Sequence, residues 1–324
     1  MALRKYVVAV ARYPYSGNGG GSIEHPDVGD WLIDTTLEMR DDPRISRVFR
    51  IRKSDTPIPM TRNDSVYDAR KNGADFLLMV DSDMAPDYEL KQGDVTAKPF
   101  WKTSFDFLDK HYDKGPCIIG APYAGPPPFE SVYVFAWENS ESRNANADWK
   151  LEMYSRSHAA IMGGIQEAGA LPTGLILYDL RLFDHLPEPW FYYEYENDGQ
   201  PCSVCHVRKP GPQRKKASTE DVTFTRDSSL ILMEKLGYNP LYCNWDAWAG
   251  HWKPKCVGKP RLATVESVNA KYRDAILANH RSDSKLVHVG STKETDEILR
   301  RMRPALPQKS EAKNGDLLIA GIDK

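Results

Sequence analysis

The run Phe76-Leu77-Leu78-Met79-Val80 ends in Asp81-Ser82-Asp83. Five consecutive apolar residues predict a strand buried on both faces, as in a parallel sheet. The two acids then stand at its carboxyl end, where open α/β sheets bind ligands. Residues i and i+2 of an extended chain point the same way, so the two carboxylates are expected side by side. Such a pair repels unless a cation lies near it, which points to a hard divalent metal and a phosphate-bearing ligand. The alternative is structural: either acid caps a helix starting at Pro86.

The flanking pattern extends this reading. Tyr6 to Ala11 and Arg47 to Ile51 read as strands. Pro26 to Met39 and Asn63 to Asn72 read as helices, the second stopped by Gly73. Strand, helix, strand, helix, strand in the first 85 residues predicts a doubly wound α/β sheet. Phe100 to Tyr112 continues it as a helix and Cys117 to Gly120 as a strand. Ser131 to Ala136 alternates as an antiparallel strand does. Pro172-Thr173-Gly174 is a turn before the strand Leu175 to Tyr178, and Leu182 to Leu186 is a short helix. Thr219 to Leu236 is a long helix with Thr219 as N-cap, Glu220 and Asp221 in its first turn, and Gly237 as its stop. The loop Arg12 to Gly21 holds four glycines but no following Lys-Ser/Thr, so it is no P-loop.

A chain of 324 residues, 41% hydrophobic and 27% charged, has an ordinary globular composition. A net charge of −2 and a pI near 6.5 argue against coating nucleic acid through bulk charge. No apolar stretch is long enough for a membrane span, and the N-terminus has no secretion signal, so a cytoplasmic protein is expected. Five cysteines is an odd number. Cys202-x-x-Cys205 has metal-ligand spacing, and Cys243 and Cys256 offer a second pair. A structural zinc fits, and free thiols fit as well. Trp190 to Tyr193 is read either as an aromatic platform for a sugar or base, or as core. The basic loop Arg208 to Lys216 is read either as a contact for an anionic acceptor or as a solvated loop.

Four pieces occur in order: Ala74 to Met84 with its Asp81-Ser82-Asp83, Leu171 to Leu177 with its Gly174, Thr219 to Phe224, and Ala249-Gly250-His251. Together they resemble the GT-A glycosyltransferases, nearest the family-2-like enzymes of phages and large viruses. The resemblance spans roughly residues 5 to 255. It implies a Rossmann-like, mostly parallel sheet flanked by helices, with a smaller antiparallel acceptor-side part. The GT-A domain would be 1–262, with a nucleotide-sugar half (about 1–125) and an acceptor half (about 126–262). Residues 263–324 would be a helical extension and tail.

The resemblance also assigns roles. Asp83, Asp81 and His251 would hold Mn²⁺ or Mg²⁺, with Asp81 turned to the ribose or sharing the metal. Asp221 would be the base of an inverting transfer, with Glu220 beside it. Val8, Ala9 and Ala11 would line the nucleobase pocket. Lys253 would hold phosphate, and Ser82 would approach the donor, a UDP-sugar in the first instance. Arg62 is read either as a phosphate contact or as a surface ion pair, and Gly174 either as a close approach to the donor or as an ordinary turn glycine. The acceptor suggested by the virus-like flavour is a hydroxymethylated base in phage DNA, which would have to be flipped from the duplex. Two other classes fit parts of the sequence: a nucleotidyltransferase of related fold, and a zinc-containing nucleic-acid-binding module.

Overall fold

The computed structural model describes residues 4–13, 15–16, 22–53, 58–125, 130–137, 151–195, 216–252, 256–257 and 259. The chain divides into two units, Met1–Val289 and Gly290–Lys324, and every described residue belongs to the first. The expected boundary at 262 and the C-terminal extension lie outside the described residues.

The elements run in order: β1 (Tyr6–Tyr13), β2 (Tyr15–Ser16), β3 (Ser22–Ile23), α1 (Pro26–Asp41), β4 (Ile45–Arg52), α2 (Ile58–Lys71), β5 (Phe76–Asp81), β6 (Met84–Ala85), α3 (Tyr88–Lys91), α4 (Phe100–His111), β7 (Ile118–Gly120), β8 (Phe135–Trp137) and β9 (Leu151–Met153). There follow α5 (Arg156–Ile161), β10 (Ile165–Glu167), β11 (Leu175–Asp179), a 3-10 turn at Leu180–His185, β12 (Glu194–Tyr195), β13 (Lys216–Ser218), α6 (Glu220–Leu236), β14 (Leu241–Asn244), β15 (Gly250–Trp252) and β16 (Cys256–Val257).

Seven strands form the central sheet in the order β10-β14-β7-β11-β5-β1-β4. β4, β1, β5, β7 and β14 run one way; β11 and β10 run the other. The sheet is mostly parallel and Rossmann-like. One antiparallel strand, β11, lies between β5 and β7.

Burial follows from the alternation of side chains along the strands. Ala9 and Ala11 of β1, Leu77 and Met79 of β5, and Ile176 and Tyr178 of β11 pack on one face with Val66 and Ala69 of α2 and Phe224 of α6. Val8, Val10, Phe76, Leu78, Val80, Leu175 and Leu177 pack on the other with α1 (Val28, Trp31, Leu32) and α4 (Phe100, Trp101, Phe105). Both faces of β5 are therefore covered, which is why its sequence is apolar at every position up to the acid.

Several expectations change. The helix after the acids begins at Tyr88, with Asp87 as its N-cap residue, so neither Asp81 nor Asp83 caps it. Thr219 holds the N-cap position of α6 but makes no side-chain capping bond; its hydroxyl donates to Asp221 instead. Trp190 and Phe191 are core, with Phe191 stacked on Phe224 at 4.3 Å. Both their backbone amides donate to Asn63 Oδ1, so Asn63 pins this segment from α2.

Away from the sheet rim, the α1–β4 corner and α4 meet through Arg44. Its guanidinium donates to Asp42 (2.6 Å), Asp106 (2.7 Å) and Asp109 (3.0 Å) and lies 4.5 Å over the Phe105 ring. The hydrogen bonds from Arg44 hold the Asp42 carboxyl below its usual range. For Asp106, burial works upward, and Lys102 and Arg44 outweigh it. A carboxyl lowered on folding contributes stability above its unfolded value of about 3.9, and that contribution is lost as pH falls through the folded value. Arg44→Met is therefore expected to lower stability at pH 7 by about 2 kcal/mol, the scale of hydrogen bonds to charged groups. The deficit should shrink below about pH 4; urea unfolding of both proteins at pH 7 and pH 3 checks it.

Candidate functional site

The site forms where β5 ends. Asp81 is the last residue of the strand, and its amide donates to the carbonyl of Gly174 (2.8 Å) at the start of β11. The chain turns at Ser82-Asp83 and continues as β6, which pairs antiparallel with β15 so that Met84 faces His251. The turn is fastened by two further backbone bonds: His25 N to Ser82 O (2.9 Å) and Trp252 N to Asp83 O (2.7 Å). The His25 and Trp252 rings stack at 4.1 Å, and Trp252 Nε1 donates to Asp27 Oδ2 at 2.8 Å. Helix α1 and strand β15 thereby clasp the acid turn from two sides.

Because the strand stops at Asp81, the two acids do not point together as an extended chain would require. Asp81 turns to Arg62, whose Nη2 lies 3.2 and 3.1 Å from its two oxygens. Asp83 turns to His251, with Nε2 3.3 Å from Oδ2. Asp83 is well exposed, its side chain at 41%, whereas His251 is at 9%.

The state of His251 follows from its other nitrogen. Nδ1 lies 2.9 Å from the Ala124 carbonyl oxygen, which can only accept, so Nδ1 carries the proton. Nε2 is then the ring atom turned to the carboxylate, and the pair could hold a cation between them, since a backbone bond behind the imidazole is the usual support for a metal-binding histidine. One carboxylate and one imidazole suit Mn²⁺ better than Ca²⁺. Among the described residues no third His, Cys, Asp or Glu completes a cluster. Mg²⁺ and Mn²⁺ commonly take their remaining ligands from water and substrate phosphate.

Arg62 belongs to neither arrangement expected of it, the phosphate contact or the surface ion pair. It is buried, 3% exposed. Nη1 donates to Thr173 O (3.3 Å), Nη2 to Asp81, and Nε faces Glu220 Oε1 at 3.4 Å. Burial works against its charge, and Asp81, Tyr13 and Glu220 outweigh that. Burial pushes the Asp81 carboxyl up; Arg62 opposes this and Asp83 adds to it. Burial likewise pushes Glu220 up, with Arg62 opposing and Asp221 adding. Of the helix acids, Glu220 is the buried one; Asp221 is half-buried, its Oδ1 accepting from Val222 N (2.8 Å) and from the Thr219 hydroxyl.

Gly174 has a reason other than an approaching sugar. A Cβ there would meet Met84 Sδ, Tyr123 Cε1 and Tyr123 Oη, each at 2.8 Å. Protein side chains fill the space. Tyr123 is a site residue the sequence did not reveal. Its ring meets His251 edge-on at 4.9 Å. Burial raises its phenol well above the usual range, and Asp221, Asp81 and Asp83 push the same way. Only its proximity in space to these acids identifies it, since a tyrosine in a Pro-rich loop carries no signal of its own.

Other expected residues fall elsewhere. Val8, Ala9 and Ala11 are fully buried core, so they lie beneath helices and line no open pocket; β1 reaches the rim two residues later, at Arg12 and Tyr13. Arg12 pairs with Glu24, and Tyr13 lies beneath the Arg62 guanidinium, 5.4 Å from ring centre to Cζ. Ser82 contributes its carbonyl to the clasp. Cys243 is a free thiol in the apolar core, and burial raises it well above the usual range, opposing the thiolate that zinc requires. Cys202, Cys205, Lys253 and most of the basic loop lie outside the described residues, as does the side chain of Cys256.

No protein-family model matches the sequence, and no curated protein matches it. Among solved structures the chain is similar to A197 from STIV, at 13% identity over 76% of this chain and 86% of that one, with a TM-score of 0.40. It is similar also to a putative glucose-1-phosphate thymidylyltransferase from Bacillus anthracis, at 9% identity over 83% and 96%, TM-score 0.35. A third is HddC from Yersinia pseudotuberculosis, at 11% identity over 56% and 80%, TM-score 0.25. These similarities carry no argument about the chemistry of the site. Among the described residues no helix is long and apolar enough to cross a membrane.

The packing at Gly174 makes one direct prediction. Gly174→Ala should force Tyr123 and Met84 aside and destabilise the protein by roughly 1–3 kcal/mol, the usual scale of overpacking. Urea unfolding measures it; a loss near zero would show that the contact yields freely.

Proposed function

We propose that this protein transfers a sugar from a nucleoside diphosphate sugar to an acceptor hydroxyl with the help of Mn²⁺ or Mg²⁺. The observation that carries the reading is the Asp83–His251 pair, with Nε2 3.3 Å from a carboxylate on the rim of a mostly parallel sheet. The order of the remaining pieces, at Gly174 and at Glu220-Asp221, resembles GT-A glycosyltransferases and supports it.

Asp83 and His251 would hold the cation, which, when bound, supplies Lewis-acid neutralisation of charge on the departing diphosphate. Asp221 would take the proton from the acceptor hydroxyl as that oxygen attacks the anomeric carbon and the bond to the diphosphate breaks. Its place at the amino end of α6 puts it on the same rim as the acid turn, as its electrostatic influence on Asp81 reflects. UDP is the nucleotide to try first, and hydroxymethylated DNA the first acceptor.

Thermal shift with a panel of sugar nucleotides and Mn²⁺ tests the donor, since a ligand at 100 times its dissociation constant stabilises by about 2.7 kcal/mol. Asp83→Ala should abolish the metal-dependent part of that shift. Asp221→Asn should keep it and lower release of nucleoside diphosphate by ~10²-fold or more. Release of pyrophosphate instead would assign nucleotidyl transfer, and full turnover in Asp221→Asn would remove that residue from the role of base.

A further inference from the structure

We infer that Arg62 is a positioning residue that ties the acid turn to the amino end of α6, and that it does not bind phosphate. The inference rests on the transfer reading above and assigns a role within it. Nη1 and Nη2 donate to protein acceptors, and Nε lies beside a carboxylate without hydrogen-bonding to it. Nη2 spans both oxygens of Asp81 on β5, Nη1 reaches the Thr173 carbonyl in the turn before β11, and Nε faces Glu220 on α6. The side chain is 3% exposed, and the Tyr13 ring lies beneath it. A phosphate could reach it only by displacing one of these partners.

The three polar partners come from three places in the chain. Two of them, β5 and the turn at Thr173, belong to the half of the rim that carries the acid turn. The third, α6, carries Glu220 and the adjacent Asp221. Arg62 itself comes from α2, beneath the sheet. One planar cation thus fixes the relative placement of a donor-side carboxylate and the helix end that bears the base. The fork geometry matters: a lysine supplies one charge at one point and cannot face Asp81, Glu220 and a carbonyl together. Removing the cation also leaves two buried carboxylates with mutual repulsion in place of a shared partner.

A phosphate ligand and a positioning residue make opposite predictions for the split between donor affinity and turnover. A phosphate ligand lost to lysine or glutamine weakens nucleotide binding. A positioning residue leaves nucleotide affinity nearly intact and lowers the rate, because the base is misplaced. The experiment measures the affinity of UDP with Mn²⁺ by titration calorimetry, and release of UDP from the sugar nucleotide in the absence of acceptor, for wild type, Arg62→Lys and Glu220→Gln. The expected result is UDP affinity within about threefold of wild type in both variants and a rate lowered ~10-fold or more. A tenfold weaker affinity in Arg62→Lys, with or without a change in rate, overturns the inference, as does an unchanged rate.

If the wild-type protein binds none of a panel of nucleoside diphosphates with Mn²⁺, the donor reading fails, and the clamp is judged on folding instead. A urea-unfolding cycle of Arg62→Gln, Glu220→Gln and the double variant should be non-additive, since residues sharing one ion-pair network couple. Additive losses overturn the clamp whatever the ligand.

Discussion

A strand that is apolar at every position and ends in a carboxylate sets the electrostatic problem that the rest of this structure answers. β5 lies in the middle of the sheet with both faces covered, so Asp81 emerges from a low-dielectric interior and its charge is costly there. Arg62 answers it from α2, and that answer creates another requirement, because the guanidinium is itself buried and needs acceptors on every side. Thr173 accepts from Nη1, and Glu220 offers its charge to Nε at 3.4 Å without a hydrogen bond. The placement of α6 against the sheet is therefore an electrostatic consequence of Asp81 as well as an apolar consequence of Phe224.

The second acid is freed by a turn. Had the strand continued, Asp81 and Asp83 would share one face, and Arg62 would neutralise part of both. Ending the strand at Asp81 separates their fates. Asp83 faces His251, its side chain 41% exposed. The turn thus leaves one acid paired with a guanidinium and the other beside an imidazole. The backbone clasp from His25 and Trp252 keeps that division in place.

Much of the sheet was legible because it depends on local pattern. The apolar runs of β5 and β1 and the stop at Gly237 each act within a few residues. The insertion of β11 antiparallel between β5 and β7 is a pairing across about a hundred residues, and no local signal encodes partner or direction. The two-residue strand β6 is defined by its pairing with β15, which pairs on its other side with β16. That pairing places His251 beside Asp83, so the motifs were visible separately while their meeting was not. Val8, Ala9 and Ala11, which the resemblance assigned to a nucleobase pocket, lie under α1 and α2, because β1 runs two residues further.

Gly174 and Tyr123 sharpen the same point. Glycine after a turn reads as room for a ligand, yet the room is filled by the Tyr123 ring and Met84. The ring in turn packs edge-on to His251, and the next residue, Ala124, holds the imidazole tautomer through its carbonyl. The missing side chain at 174 thus leaves room for the ring that packs against His251. Arg62 and Tyr123 occupy equivalent positions in this logic, each standing behind one of the two acids. Selection of a single orientation for each acid requires both supports, since Asp81 without its guanidinium gains a proton more readily and His251 without its carbonyl and ring loses the bias that points Nε2 at Asp83. The chemistry of the rim is therefore set by side chains that a bound ligand need never touch.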